Sequence, residues 1–93
     1  MDDIVYYNAL FDYYGELLTT TQINYFKAYY YDNLSLSEIS GEYNVSRNDI
    51  SKTLKEVKDK LDYYENKLNL YKNKQVIINL LPEKDVDLII NYI

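Results

Sequence analysis

The chain has 93 residues, a formal net charge of −5, and neither cysteine nor histidine. The length fits one small domain, which we expect to span residues 1–93. Without cysteine and histidine there can be no disulfide framework, no thiolate or imidazole zinc site, and no cysteine nucleophile or serine–histidine triad. An acidic chain also does not attract nucleic acid through its overall field. The single proline and two glycines are too few for a hairpin-rich β fold, so an all-α fold with long helices is predicted.

The same sequence disfavours a membrane-spanning protein, a secreted protein and an enzyme. The sequence has no run of about 18 or more apolar residues, and its N-terminus lacks the basic region that opens a secretory signal. We therefore expect a cytoplasmic protein without a membrane span. No glycine-rich phosphate loop and no calcium-binding loop pattern occurs. An enzyme is thus not the leading class, and no catalytic residue, metal site or cofactor is predicted.

Two helices are predicted in the first third of the chain. Apolar residues at spacings of three and four favour an amphipathic helix from about Asp3 to Leu18. Thr19 is followed three residues later by Gln22, which is typical of a capping box, where each side chain satisfies a backbone N–H of the other residue. A second helix is expected from this box to about Tyr31.

The pattern that follows is that of a helix-turn-helix. Ser35 and Glu38 form a second capping-box signature, which predicts a short helix from Leu36 to Tyr43. Asn44 tolerates the left-handed conformation that a tight turn needs, and Ser46 is a typical cap for the next helix. The predicted organisation is a helix-turn-helix over 35–55, a long dimerisation helix over 47–72 and C-terminal helices over 75–93.

The second helix of this motif would direct polar residues outward while Ile39, Ser40, Val45 and Ile50 face inward. Arginine and asparagine pair with guanine and adenine edges, and lysine or a capping serine suits phosphate. The predicted nucleic-acid-binding residues are Ser46, Arg47, Asn48, Ser51, Lys52 and Lys55. Residues 46–60 hold five basic and three acidic residues, a net charge of +2, which is a modest positive patch. The alternative is an antiparallel helix pair with good caps, which has the same spacing without touching DNA.

The long helix is predicted to serve a second purpose. Its apolar arc is wide, and tyrosine at two inner heptad positions fits poorly in a parallel two-stranded coiled coil, where leucine packs well. We therefore expect this helix to pack on the first two helices and also on a second copy of the chain, together with the isoleucine-rich C-terminal helix. The predicted interface of this homodimer comprises Leu61, Tyr64, Leu68, Tyr71, Ile89 and Ile93.

Several short runs also occur in a recognisable order: Asn8 to Gly15, Leu17-Leu18-Thr19 with Gln22, Tyr29-Tyr30, Ser35-Leu36 with Glu38-Ile39, Val45-Ser46-Arg47, and Tyr64-Glu65 with Lys67-Leu68. In order and spacing, from about Asn8 to Tyr71, they resemble the YlxM-like family of small bacterial helix-turn-helix proteins, which are similar to region 4 of sigma factors. The resemblance implies an all-helical fold, duplex DNA as a partner, and a link by gene neighbourhood to the signal recognition particle pathway. It matches Ser46 and Arg47 to the start of the family's recognition helix.

The chain departs from that family along the same helix. Asn48-Asp49 stand where the family usually has glutamine-alanine, Ser51 replaces a larger side chain, and Glu56 stands where a basic residue is expected. An acid that faced a phosphate would repel it.

Two functions follow as expectations. The first is a DNA-binding regulatory protein that acts by occupying its site. The second is a protein-interaction module that binds a component of the protein-targeting apparatus. Residues 1–45 hold one lysine against seven acids, so this half of the chain would suit a basic partner.

Overall fold

The computed structural model describes residues 3–80, and this part of the chain is helical, with no strand. The elements in chain order are α1 (Asp3–Tyr14), a 3-10 turn (Gly15–Leu17), α2 (Thr20–Phe26), a π-helical turn (Lys27–Tyr31), α3 (Leu36–Tyr43), α4 (Arg47–Leu68) and α5 (Leu70–Leu80). The predicted all-α fold is confirmed. Of the C-terminal helices predicted over 75–93, the part beyond residue 80 lies outside the described residues.

Both capping boxes form, and they set where α2 and α3 begin. Thr19 Oγ1 accepts the Gln22 N–H at 3.2 Å, and Gln22 Oε1 accepts the Thr19 N–H at 3.0 Å. Ser35 and Glu38 make the same reciprocal pair, with both bonds at 3.1 Å. Each box satisfies two backbone N–H groups at a helix start, where a capping side chain contributes about 1 kcal/mol.

The first helix ends four residues before the predicted Leu18. The chain leaves α1 after Tyr14 and tightens into a 3-10 turn, because Leu18 must be extended (φ −92°, ψ 160°) to lead into the cap of α2. Gly15 lies so close to Phe11 that a Cβ there would come within 3.1–3.2 Å of the ring carbons. Glycine thus permits the close approach at which α1 ends.

Of the two hydrophobic clusters found among the described residues, the larger lies between α1, α2 and α4. Phe11 stacks on Phe26 with ring centroids 4.4 Å apart and planes inclined by 7°. Leu10, Val57 and Leu61 are fully buried in the same cluster. The predicted place of Leu61 in a dimer interface is corrected here, because its side chain belongs to the chain's own core and leaves no surface for a partner.

The helix predicted over 47–72 is interrupted. α4 ends at Leu68, Asn69 adopts a left-handed backbone conformation (φ 55°, ψ 31°), and α5 begins at Leu70. Asparagine tolerates this conformation better than most residues. The change of direction brings α5 back beside α1, so the end of the long helix packs on its own chain.

A buried pair of side chains explains why α5 starts at this point. The Tyr14 hydroxyl donates to Glu65 Oε1 at 2.6 Å and accepts the Leu70 N–H at 3.1 Å. The Glu65 carboxylate accepts the N–H groups of Tyr71 and Lys72 at 3.2 and 3.0 Å. The first three N–H groups of α5, which have no partner within the helix, are therefore satisfied by side chains from α1 and α4. A carboxylate at a helix N-terminus is also favoured by the helix dipole.

Candidate nucleic-acid interface

The turn between α3 and α4 has the geometry predicted for a helix-turn-helix. Asn44 is left-handed (φ 58°, ψ 44°), and its N–H donates to the Ser40 carbonyl. The Val45 N–H donates to the same carbonyl at 3.2 Å, while the Ser40 hydroxyl donates to the Val45 carbonyl oxygen. Ser46 then caps α4 by accepting the Asp49 N–H at 3.0 Å. These bonds hold α4 at a defined angle to α3.

The second hydrophobic cluster anchors the motif to the rest of the domain. Ile39 of α3 and Ile50 of α4 are fully buried, and they pack with Tyr25 and Ala28 from the preceding helical segment. Burial of an isoleucine side chain contributes about 1.5–3 kcal/mol, so the inner side of the motif is firmly held. With this side fixed, the opposite side of α4 faces away from the domain.

All six residues predicted to bind nucleic acid are exposed, and they lie on the cap and the first turns of α4: Ser46, Arg47, Asn48, Ser51, Lys52 and Lys55. The Arg47 guanidinium donates from Nη1 to Ser37 Oγ at 3.3 Å, an exposed contact with α3. No hydrogen bond or ion pair joins Asn48, Ser51 or Lys52 to another described side chain. Their polar atoms are therefore available to a ligand.

Lys55 has a partner within the chain, but a weak one. Its Nζ lies 3.4 Å from Asp59 Oδ2, one helical turn away, and the two side chains are 80% and 66% exposed. Ion pairs this exposed contribute about 0–1 kcal/mol because water and salt screen them. A phosphate that approaches Lys55 can replace Asp59 at little cost.

The acidic residues of α4 that depart from the family pattern stand mostly on another flank. At 100° per residue, Asp49 and Glu56 lie roughly 140–180° around the helix axis from Arg47 and Ser51. Both acids are exposed. The face formed by the arginine and the serine is thus free of their charge, whereas Lys52 is about 40–60° from the acidic flank on the same geometry.

The structure adds a residue that the sequence prediction leaves out. Lys58 lies on the same side of α4 as Ser51 and Lys55, and the three line a groove of about 250 Å³ beside Tyr29 and Tyr30. The neighbouring Tyr30 hydroxyl raises the pKa of Lys58, although burial opposes it. The signal was present in the sequence, since positions 51, 55 and 58 follow one another at spacings of four and three.

The residues predicted for a dimer interface fall in different surroundings. Leu68 is 51% exposed, whereas Tyr64 and Tyr71 are partly buried against the larger hydrophobic cluster. Leu61 is buried in the chain's own core, and Ile89 and Ile93 lie outside the described residues. Leu68 therefore remains open to a partner, while the tyrosines offer part of their surface.

Between residues 3 and 80, no group of three or more aspartate, glutamate, histidine or cysteine residues is arranged to hold a metal ion. None of the described helices combines the length and the apolar character needed to cross a membrane.

Two helices joined by a left-handed turn, with a buried inner side and a polar outer face on the second helix, define a helix-turn-helix protein. Comparison with known sequences leads to the family. The chain belongs to the UPF0122 family, described as "Putative helix-turn-helix protein, YlxM / p13 like", whose family model matches residues 1–89. The resemblance to YlxM-like proteins inferred from the residue order is thereby confirmed.

Several bacterial relatives support this assignment. A UPF0122 protein of Lactococcus lactis subsp. cremoris is 43% identical over 76 residues, which is 82% of this chain and 68% of the relative. One from Thermoanaerobacter sp. is 40% identical over 82 residues, covering 88% and 70% of the two chains. One from Listeria welshimeri is 43% identical over 81 residues, covering 87% and 74%.

Proposed function

We propose that this protein is a DNA-binding regulatory protein that docks the first turns of α4 into the major groove. One observation carries the proposal. The turn at Asn44 and the buried Ile39 and Ile50 fix α4 on the domain, and its six polar candidate residues all remain exposed. An antiparallel helix pair without a ligand would also expose a polar face, so the chemistry of that face is what favours DNA: Arg47, Asn48 and Lys52 stand together at the start of the second helix.

The side chains suggest a division of roles. Arg47 and Asn48 are at the helix start, where the recognition helix of such motifs meets base edges, and their chemistry suits guanine and adenine. Ser46 and Ser51 are suited to phosphate or base contacts, while Lys52 and Lys55 supply charge for the backbone. The mechanism is occupancy of a site without chemistry, in the cytoplasm of a bacterial cell where the DNA lies.

The electrostatics predict weak, salt-dependent binding. The whole chain carries −5, and the positive charge that faces the DNA comes from a few side chains of α4. Each phosphate that a cation neutralises contributes about −0.9 to the slope of log affinity against log salt concentration. Low ionic strength is therefore the condition under which binding should first be detected.

A duplex titration with paired variants tests the proposal. Arg47→Ala with Lys52→Ala should abolish most of the duplex binding measured at low salt by fluorescence anisotropy. The matched control is Lys67→Ala with Lys72→Ala, which removes the same charge from exposed positions away from the motif. Circular dichroism should show unchanged helicity in both. Equal duplex binding by the two double variants would show that the assigned surface of α4 does not bind DNA.

We propose further that the protein acts as a homodimer. Two-fold dimers of helix-turn-helix proteins bind half-sites about 34 Å apart, one turn of DNA. Exposed apolar side chains near the α4–α5 junction support an interface there: Tyr63, Leu68, Leu70 and Val76. Ile89 and Ile93 remain candidates from the sequence. Sedimentation at low micromolar concentration should give a dimer, and a monomer at that concentration would contradict this part of the proposal.

A second function is favoured by the charge of the other helices. Exposed acids are spread over α1, the 3-10 turn and α3, with net charge −6 over residues 1–45. This surface suits a basic protein partner, and the resemblance to YlxM-like proteins directs attention to the signal recognition particle pathway. Pull-down with the targeting GTPase, measured in the same salt as duplex binding, separates the two functions.

A further inference from the structure

The groove beside α4 holds a lysine whose position is fixed by aromatic side chains. Lys58 Nζ lies 5.4 Å from the centroid of the Tyr7 ring and 5.7 Å from that of Tyr30. An ammonium over an aromatic face is attracted by about 0.5–2 kcal/mol, more when it is partly desolvated. Tyr7 and Tyr30 come from two other parts of the fold, so Lys58 is held in place by tertiary structure.

The Lys58 side chain is charged and has hydrogen-bond donors available for a ligand. The neighbouring Tyr30 hydroxyl raises the pKa of Lys58, and the acid Asp3 acts in the same direction, against the effect of burial. A lysine ammonium has three donors. Among residues 3–80, no carboxylate lies within 4.0 Å of Lys58, in contrast to the pair that Lys55 makes with Asp59. Lys58 is therefore an oriented cation without an acidic partner in the described part of the chain.

The position of Lys58 along α4 matches that of a residue at the border of the DNA major groove. Lys58 follows Arg47 by eleven residues, about 16 Å along the helix axis at 1.5 Å per residue. The major groove is about 12 Å wide. A helix whose first turn meets base edges thus brings its third and fourth turns out to the phosphates that line the groove. Arg47, Ser51, Lys55 and Lys58 succeed one another at steps of four, four and three, on one side of α4.

We propose that Lys58, at the groove shared with Tyr29 and Tyr30, binds a backbone phosphate of the DNA that α4 occupies. The inference rests on the proposed DNA-binding function and extends its surface by about one helical turn. Lys55 shares the groove and is paired with an exposed aspartate that a phosphate can displace. Tyr30 acts as a positioning residue, since it holds the ammonium without needing to touch the phosphate.

The competing explanation is that Lys58 serves the fold alone, through its contacts with the two tyrosine rings. Stability and salt dependence separate the two roles. A lysine that only packs changes the free energy of unfolding and leaves the salt slope unaltered. A lysine that neutralises a phosphate changes the slope by about 0.9, for every duplex sequence alike.

The experiment is a salt series of duplex titrations with the full chain. Lys58→Gln removes the charge, and Lys58→Arg retains it as the conservative variant. Lys67→Gln is the matched control, because Lys67 is also on α4 and also lies over a tyrosine ring, with Nζ 5.6 Å from the Tyr63 centroid, but outside the groove. Thermal melts of each variant identify the temperature range in which all of them are folded.

Between 50 and 200 mM salt, the affinity of the unaltered protein should fall roughly 3.5-fold more than that of Lys58→Gln, as loss of one phosphate contact requires. Lys58→Arg and Lys67→Gln should keep the original slope. If Lys58→Gln keeps the salt slope of the unaltered protein while Arg47→Ala with Lys52→Ala weakens duplex binding, this inference is overturned and the proposed function is not. No duplex binding by the unaltered protein at any salt would overturn the proposed function and this inference together.

Discussion

Replacing Tyr14 by phenylalanine tests the account of why α4 and α5 are separate helices. The ring of Tyr14 is 1% exposed and would keep its packing, while the hydroxyl is lost. That hydroxyl makes a 2.6 Å bond to the Glu65 carboxylate and accepts the Leu70 N–H. A hydrogen bond to a charged group contributes about 1.5–3 kcal/mol, so we expect Tyr14→Phe to lower the free energy of unfolding by about 2–3 kcal/mol. That is a substantial part of the roughly 5–15 kcal/mol typical of a folded domain.

The assay is urea and thermal unfolding followed by circular dichroism. For a domain of this size, 1 kcal/mol corresponds to a shift in Tm of about 4–8 °C, so the expected loss is on the order of 10–20 °C. Tyr25→Phe is the matched control, because Tyr25 is also buried but its hydroxyl makes no hydrogen bond to another described residue. Hydrogen exchange of the Leu70 amide should accelerate in Tyr14→Phe. Stability equal to that of the Tyr25 variant would refute the role assigned to the buried pair.

Further consequences follow for pH and for the turn. Burial and the bond to Glu65 raise the pKa of Tyr14 to about 12 from 10.0, so the unfolded chain loses this proton first. The stabilisation that comes from the raised pKa of Tyr14 is fully present below about pH 10 and is lost as pH rises toward 12. Between about pH 8 and pH 11, the urea midpoint should therefore decrease more in the unaltered protein than in Tyr14→Phe. A parallel decline in both would contradict this. Asn44→Ala should cost about 1–2 kcal/mol by urea denaturation, because alanine is strained in the left-handed conformation, whereas Asn44→Gly should remain close to the original. Equal costs for the two substitutions would show that backbone strain is not the reason.

Much of the helix-turn-helix could be predicted because its signals are local. A capping box joins residues three apart, and the turn depends on the ability of Asn44 to become left-handed, so both are readable without knowing what packs nearby. Thr19, Ser35 and Ser46 cap their helices in the structure as the sequence predicts. The exposure of the outer face of α4 followed from the same periodicity, since burying Ile39 and Ile50 leaves the opposite side outward.

The mistaken end of the long helix and the misplaced Leu61 have a common cause in partners distant along the chain. The apolar periodicity of α4 continues past Leu68, and no residue within one helical turn indicates that the Glu65 carboxylate is buried and hydrogen-bonded. Its partner Tyr14 is 51 residues away, on α1. The apolar stripe of the sequence predicts a dimer contact for Leu61 because a stripe does not indicate which surface covers it, whereas α1 and α2 cover that position within the chain.

Taken by itself, the order of residues determined which segments are helical, where most helices begin, and which side of α4 is polar, because those properties depend on spacing and on caps a few residues apart. Tertiary structure alone decided where the long helix stops, which apolar side chains are left for a partner, and that Lys58 stands over two tyrosine rings. Each of these depends on side chains brought together from separate helices, and their energies arise only once the helices are packed.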